Sequence, residues 1–135
     1  FYDDYAHHPT EIKVVLEGVK KVFKNYDKVC IFQPHRISRL KDLKKEFTFA
    51  FKDTDTVILC PIYSAGEKIK LGFSYEDFAK KIIKNSNVKL FMVENKYQLA
   101  RYLKQNMYGK KIVVGMGAGS ISNWIKELPN LMKWK

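Results

Sequence analysis

The chain has 135 residues, with 25 Lys and Arg against 14 Asp and Glu, a formal net charge of +11, and 46% hydrophobic and 14% aromatic content. That length suits one domain with a core of its own, and the apolar content excludes a disordered chain. No apolar run approaches the ~18 residues of a membrane span, and the polar, acidic start does not read as a secretory leader. The charge raises nucleic acid or an anionic surface as partners. Its distribution argues otherwise. Lys20, Lys24, Lys80, Lys84, Lys104 and Lys126 are spread over several amphipathic segments. Arginine, the preferred residue for base readout, occurs only at Arg36, Arg39 and Arg101. A solvated lysine face is the reading, with no nucleic acid and no membrane as partner.

In chain order, FYDD (1–4) reads as the end of a strand, and a helix follows over 10–26. It places Ile12, Val15, Leu16, Val19 and Phe23 on one face; Pro9 suits its first turn and Glu11 its positive end. VCIFQP (29–34) reads as a buried strand, 38–47 as a short basic helix, and TVILCPI (56–62) as a second buried strand. Residues 64–73 form the longest expected irregular loop. The next helix, 74–85, opens with Ser74 as cap and Asp77 three residues on. KLFMVE (89–94) and KIVVGMG (111–117) are strands, and 95–107 and 121–132 are helices. Cys30 and Cys60 lie inside strands without CxxC spacing and read as small buried hydrophobes of a reducing compartment; a disulfide or metal pair is the alternative. Alternating strands and helices predict an α/β, Rossmann-like domain, its mostly parallel sheet of about five or six strands flanked by helices. The ligand crevice of such a fold lies beyond the C-terminal ends of the strands.

Four of those ends carry the unusual residues. They are Asp3-Asp4-Tyr5-Ala6-His7-His8, then His35-Arg36-Ile37-Ser38-Arg39, Tyr63-Ser64-Ala65-Gly66-Glu67, and Gly117-Ala118-Gly119-Ser120. Topology brings them to one rim of carboxylates, imidazoles, two arginines and a helix N-terminus. Each alone has a plain reading. Asp3 and Asp4 suit a turn into a helix. His7 and His8 suit a surface, since an adjacent pair is not a metal-ligand set. Arg36 and Arg39, three apart, suit one helix face, as a clamp for carboxylate or phosphate or as a basic surface patch. GMGAGS (115–120) fits GxGxxG at its first two glycines only, with Ser120 at the third. The acidic ribose partner expected about 20 residues further on is missing. The better reading is close backbone approach and an anion-friendly helix start at Ser120. No GxxxxGK[ST] or GxSxG occurs.

Taken together, DDYAHHPTEI, FQPHRISRLKDL, YSAGE and GMGAGSI, in this order, resemble the C-terminal domain of the Mur ligases, over essentially the whole chain. DDYAHHPTE with FQPHR-x-[ST]-R resembles the branch that adds L-alanine to UDP-N-acetylmuramate. Ile37 stands where an aromatic is usual, Leu40 where threonine is common, Ser64 for a proline and Ser120 for an acidic or amide residue. The resemblance implies a bacterial, cytoplasmic enzyme of three domains. The first holds the UDP-sugar, the second ATP and most of the Mg2+, and residues 1–135 the incoming amino acid. The reaction runs through an acyl phosphate, and this domain alone would be inert. Asp4, with Asp3 as its weaker neighbour, would meet ATP through the ribose. His7 and His8 would lie where nucleotide and amino acid meet. Arg36 and Arg39 would hold the alanine carboxylate, and Tyr5 and His35 would shape the side-chain pocket. Gly117, Ala118, Gly119 and Ser120 would form a loop near the substrate.

Two other classes of function carry their own signatures. A stand-alone nucleotide-binding or sensing module built on GMGAGS would bind nucleotide tightly as the isolated chain. A basic nucleic-acid binder would show a steep salt dependence.

Overall fold

Runs of β-branched and aromatic residues build five strands, β1 (Tyr2–Asp4), β2 (Asp27–Phe32), β3 (Thr56–Leu59), β4 (Lys89–Met92) and β5 (Lys111–Met116). The structure, a computed structural model, describes residues 1–106 and 108–133. The strands form one sheet in the order β1-β5-β2-β3-β4, with every neighbouring pair parallel. β2 is the central strand, it and its neighbours β5 and β3 are almost fully buried, and β4 is an exposed edge. Register places Asp4 beside Met116, Phe32 beside both Met116 and Leu59, and Leu59 beside Met92, so four strands end level with β5 at the same rim.

The expected strands run too far at their C-terminal ends. Gln33-Pro34, Cys60-Pro61-Ile62, Val93-Glu94 and Gly117 lie past the ladders. Pro34 and Pro61 have no N–H to donate, so pairing stops at or just before them. These overruns are the residues that build the rim.

Five helices connect the strands: α1 (Pro9–Val22), α2 (Ile37–Thr48), α3 (Tyr75–Ser86), α4 (Lys96–Asn106) and α5 (Ile121–Leu131). α1 is shorter than the expected 10–26, because Phe23 leaves the helical region and its ring packs edge-on against Tyr26 at 5.3 Å. α2 kinks at Leu43 (φ −116°, ψ 18°). Ser74 caps α3 as expected, its Oγ accepting the Asp77 N–H at 3.2 Å. Met107, the last residue of the fourth expected helix, lies outside the described residues.

α1, α2 and α3 bury Ile12, Leu16, Leu40, Phe47, Phe78 and Ile82 on one face of the sheet. α4 and α5 bury Leu99, Leu103, Ile121, Ile125 and Leu128 on the other. The chain steps in one direction from β1 to β4, then returns to β5; with one hand of crossover, that reversal moves the last helices to the opposite face. Cys30 belongs to the first core and Cys60 to the second, so the sheet itself separates them and no disulfide joins them. Burial pushes the Cys60 thiol up to about 12. Among the described residues no helix is long and apolar enough to cross a membrane.

Candidate functional site

Backbone bonds knit the rim across the strand ends. Gly117 N–H donates to Asp4 O at 3.3 Å, Gln33 N–H to Met116 O at 3.0 Å, and Cys60 N–H to Phe32 O at 2.9 Å. The four junctions singled out in the sequence are therefore neighbours in space.

At the first junction, one Asp4 carboxylate oxygen accepts the Ala6 N–H at 2.9 Å and turns the chain out of β1. Asp3 points elsewhere, accepting from Ser122 Oγ in α5 at 2.6 Å. Tyr5 is 70% exposed, with its ring edge-on to His7 at 5.6 Å. His7 Nδ1 meets the Tyr5 carbonyl at 2.9 Å, so Nδ1 is the protonated nitrogen and Nε2 is left for other contacts. His8 has a different task. Its Nδ1 accepts the Thr10 N–H at 3.3 Å, while the Glu11 carboxylate accepts the His8 N–H at 3.1 Å and the His7 N–H at 3.3 Å. This is a capping box with an imidazole in place of a hydroxyl. The His7 N–H, against some desolvation, and then the His8 N–H hold the Glu11 carboxyl below its ordinary value.

At the second junction, Arg36 is not on a helix face with Arg39, as their spacing suggested. It is the N-cap of α2, with φ 73° and no side-chain cap. Such a φ costs a non-glycine residue about 1–3 kcal/mol and persists only where surrounding bonds impose it. Here the Arg36 N–H donates to Tyr63 O at 2.7 Å, and Arg36 O accepts the Leu40 N–H at 3.3 Å. Arg39, in the first turn of α2, donates from Nη1 to His35 Nδ1 and to His35 O, both at 3.1 Å. A guanidinium cannot accept, so His35 carries its proton on Nε2. His35 stacks on Tyr63 at 5.5 Å and 17°, and faces His7 at 5.8 Å. His35, Arg36, Ser38 and Arg39 line one open cleft with Asp42 and Leu43. Asp3 and Asp4 line a separate groove beside α1. The site residues thus line two separate depressions, with His7 packed against His35 at the edge of the α2 cleft.

Desolvation first, then the Arg39, His7 and Arg36 charges, lower the pKa of His35 from its ordinary 6.5. Because the folded value lies below the unfolded one, the folded state takes up fewer protons between them. The associated stability is complete above pH 6.5 and is lost as pH falls through the lowered folded value. Protonation also removes the Nδ1 acceptor that Arg39 uses. We expect ligand affinity in the Arg36–Arg39 cleft to fall in acid below that lowered value, and a His35→Asn variant to flatten the profile. A profile unchanged in that variant would remove His35 as the cause.

At the fourth junction, the helix start at Ser120 is not open to an anion in the way expected. Ser120 has αR geometry and makes no side-chain cap. The Ile121 N–H is already taken by Gln33 Oε1 at 3.0 Å, while Gln33 Nε2 donates to Ser120 Oγ at 3.0 Å. Gly117 (φ 150°) fits closely over Gln33, and Gly119 lies flat against the Tyr63 ring. Ala118 and Ser120 are half-buried in the same loop.

Three residues of the rim were given no role by the sequence reading: Gln33, Tyr63 and Glu67. Gln33 left one signal, a polar residue closing an apolar strand before a proline. Replacing Gln33 with Leu strands a buried N–H and is expected to cost about 1–2 kcal/mol in urea unfolding; an unchanged midpoint would deny its anchoring role.

Comparison with known proteins adds ancestry to this geometry. The family described as "Mur ligase, glutamate ligase domain" matches residues 1–119. The chain is 69% identical over 132 residues to the UDP-N-acetylmuramate–L-alanine ligase of Pelagibacter ubique, covering 98% of the chain and 28% of that protein. It is 36% identical over 131 residues to the enzyme of the same name in Caulobacter vibrioides, covering 97% of the chain and 28% of that protein. The crystal structure of UDP-N-acetylmuramate-alanine ligase MurC from Thermotoga maritima superposes with a TM-score of 0.66 at 26% identity, covering 96% of this chain and 26% of that one. The chain therefore spans between a quarter and a third of the length of these relatives.

Proposed function

The chain belongs to the Mur ligase family, as its C-terminal, glutamate ligase domain, and from that membership we propose that it is the amino-acid-binding domain of an ATP-dependent ligase joining L-alanine to UDP-N-acetylmuramate. The observation that carries this reading is the pair of arginines in the α2 cleft. Among the described residues neither Arg36 nor Arg39 is in an ion pair, although both sit beside a rim of bonded polar groups. Two guanidiniums outside any ion pair, one fixed on His35, suit a small carboxylate.

In this reading Arg36 and Arg39 fix the alanine carboxylate, while His35 and Tyr5 border the methyl group. His7 and His8 lie between amino acid and nucleotide. Asp4 offers its second oxygen to a ribose hydroxyl, with Asp3 behind it, and the 117–120 loop closes the far side. The alanine amine attacks the muramoyl acyl phosphate. The C–N bond forms, the C–O bond to phosphate breaks, phosphate leaves with the electron pair, and the amine loses a proton. This domain's contribution is orientation and exclusion of water, which would otherwise hydrolyse the acyl phosphate.

Among the described residues no three His, Cys, Asp or Glu side chains converge where a metal ion could sit. Magnesium takes only one or two protein carboxylates beside phosphate oxygens, so it sits where those phosphates are held. The ion and the ATP phosphates would belong to another domain of the same polypeptide, since this chain has no phosphate-cradling loop.

The test is phosphate release by the full-length ligase carrying this domain, given ATP, Mg2+ and UDP-N-acetylmuramate, with and without L-alanine. Release that requires both the UDP-sugar and alanine supports the reading. Release indifferent to alanine, or tight nucleotide binding by residues 1–135 alone, would refute it.

A further inference from the structure

Glu67 lies in the long segment between β3 and α3, yet both its oxygens reach back 29 residues to Ser38. Oε1 accepts the Ser38 N–H at 3.2 Å, and Oε2 accepts the Ser38 hydroxyl at 2.5 Å. This is a helix cap supplied from another segment. α2 needs it, because its own N-cap residue, Arg36, provides no side-chain bond. A carboxylate at a helix N-terminus also meets the positive end of the helix dipole.

The cap sits between the two arginines. Ser38 is two residues after Arg36 and one before Arg39. On one side the Arg36 backbone is held at φ 73° by the Tyr63 carbonyl, from the same β3–α3 segment that carries Glu67. On the other, Arg39 is aimed at His35 by two bonds from a single Nη1. Glu67 and Tyr63 therefore grip the β2–α2 junction at adjacent points. Without the Glu67 grip, the strained Arg36 backbone is held by the Tyr63 carbonyl alone, and the first turn of α2 frays with Arg39 in it.

We propose that Glu67 is a positioning residue of the amino-acid cleft, setting Arg36 and Arg39 through its two bonds to Ser38. The inference rests on the function proposed above. Glu67 stands behind the cleft rather than in it: the lining is His35, Arg36, Ser38, Arg39, Asp42 and Leu43. The Ser38 hydroxyl first, opposed by desolvation, then the Ser38 and Ile37 N–H groups and the Arg36 charge lower its pKa below the ordinary carboxyl value. The grip is therefore an ionised one, present above pH 4.5 and lost as pH falls through the lowered value.

The test uses the full-length ligase with Glu67→Ala, Glu67→Gln and Ser38→Ala. Glu67→Ala is expected to raise the apparent KM for L-alanine about 10-fold, with kcat and the KM for ATP within about threefold of wild type. Glu67→Gln keeps a carbonyl for the Ser38 N–H and an amide donor for its oxygen, so it should recover most of the affinity; Ser38→Ala should fall between. A general loss of fold would instead lower kcat and both affinities together, and glutamine would not rescue it. Hydrogen exchange at the amides of residues 37–39 gives a second readout, expected to quicken in Glu67→Ala. An alanine KM within about twofold of wild type, or equal losses for both substrates, overturns the proposal. If the wild-type ligase shows no alanine-dependent phosphate release, the proposed function fails, and exchange alone decides the positioning role. Faster exchange at 37–39 upholds it and unchanged exchange overturns it.

Discussion

An Arg39→Ala ligase is expected to lose about 100-fold in apparent affinity for L-alanine, with the KM for ATP changed far less. The asymmetry follows from the geometry. Arg39 lines the α2 cleft and is bonded to His35, whereas Asp4, the residue placed against the nucleotide, lines a different groove beside α1. A charge-assisted, forked contact contributes about 1.5–3 kcal/mol, which sets the size of the loss. Arg39→Lys should recover only part of it, because an ammonium keeps the charge but cannot both bond His35 and present a planar pair of donors. Arg36→Gly separates two effects that the other variants mix. Glycine relieves the φ of 73° at that position while removing the guanidinium. That variant should be as stable as wild type or more so, yet bind alanine less well. Steady-state kinetics with each substrate varied in turn, beside a thermal melt, reads all three. Equal rises in both KM values for Arg39→Ala would end the carboxylate-clamp assignment.

The architecture was legible because it is written in periodicity. Val29, Cys30, Ile31 and Phe32 have to be a buried strand, and Ile12 and Leu16 have to share one helix face; both expectations match the structure. The rim was legible as a set of junctions for the same reason, since parallel strands must end together. What stayed illegible was the pairing across junctions. Nothing local in the sequence links Glu67 to Ser38, Gln33 to Ile121, or Asp3 to Ser122, which lie 29, 88 and 119 residues apart. The spacing of Arg36 and Arg39 misled because it assumes a helix. The chain instead bends at Arg36, where the Tyr63 carbonyl overrides local preference. At His8 a local role went unread: an imidazole is seldom an N-cap, so its place in a capping box was not visible beside the more familiar Glu11. The roles of the rim residues toward substrate rest on the chemistry of their side chains together with the family resemblance.

Gly117→Ala is expected to cost the domain about 3 kcal/mol, a fall of roughly 10 °C in Tm. Two effects add at this position. The backbone φ of 150° is one that side chains rarely accept, and a Cβ there would stand 2.9 Å from Gln33 O and 2.8 Å from Ile121 Cγ2. The Gln33 oxygen is backbone just past the end of β2, on a residue whose N–H is tied to Met116 O and whose side chain is tied to α5, so it has little room to move. The contrast with Gly119 makes the prediction sharp. A Cβ at Gly119 would come even closer, 2.4 Å from Tyr63 Cγ and 2.7 Å from Tyr63 Cβ, the near end of a side chain that ring rotation cannot carry away, so Tyr63 itself must shift. Gly119→Ala should therefore cost stability as well, and by displacing Tyr63 from its stack on His35 it should also raise the KM for alanine. The two glycines lie two residues apart in one loop, yet one protects the sheet and the other the cleft. Paired melts and alanine KM values separate them. If Gly117→Ala melts like wild type, or if Gly119→Ala leaves the alanine KM unchanged, the close packing of this loop against Gln33 and Tyr63 is not what holds the rim together.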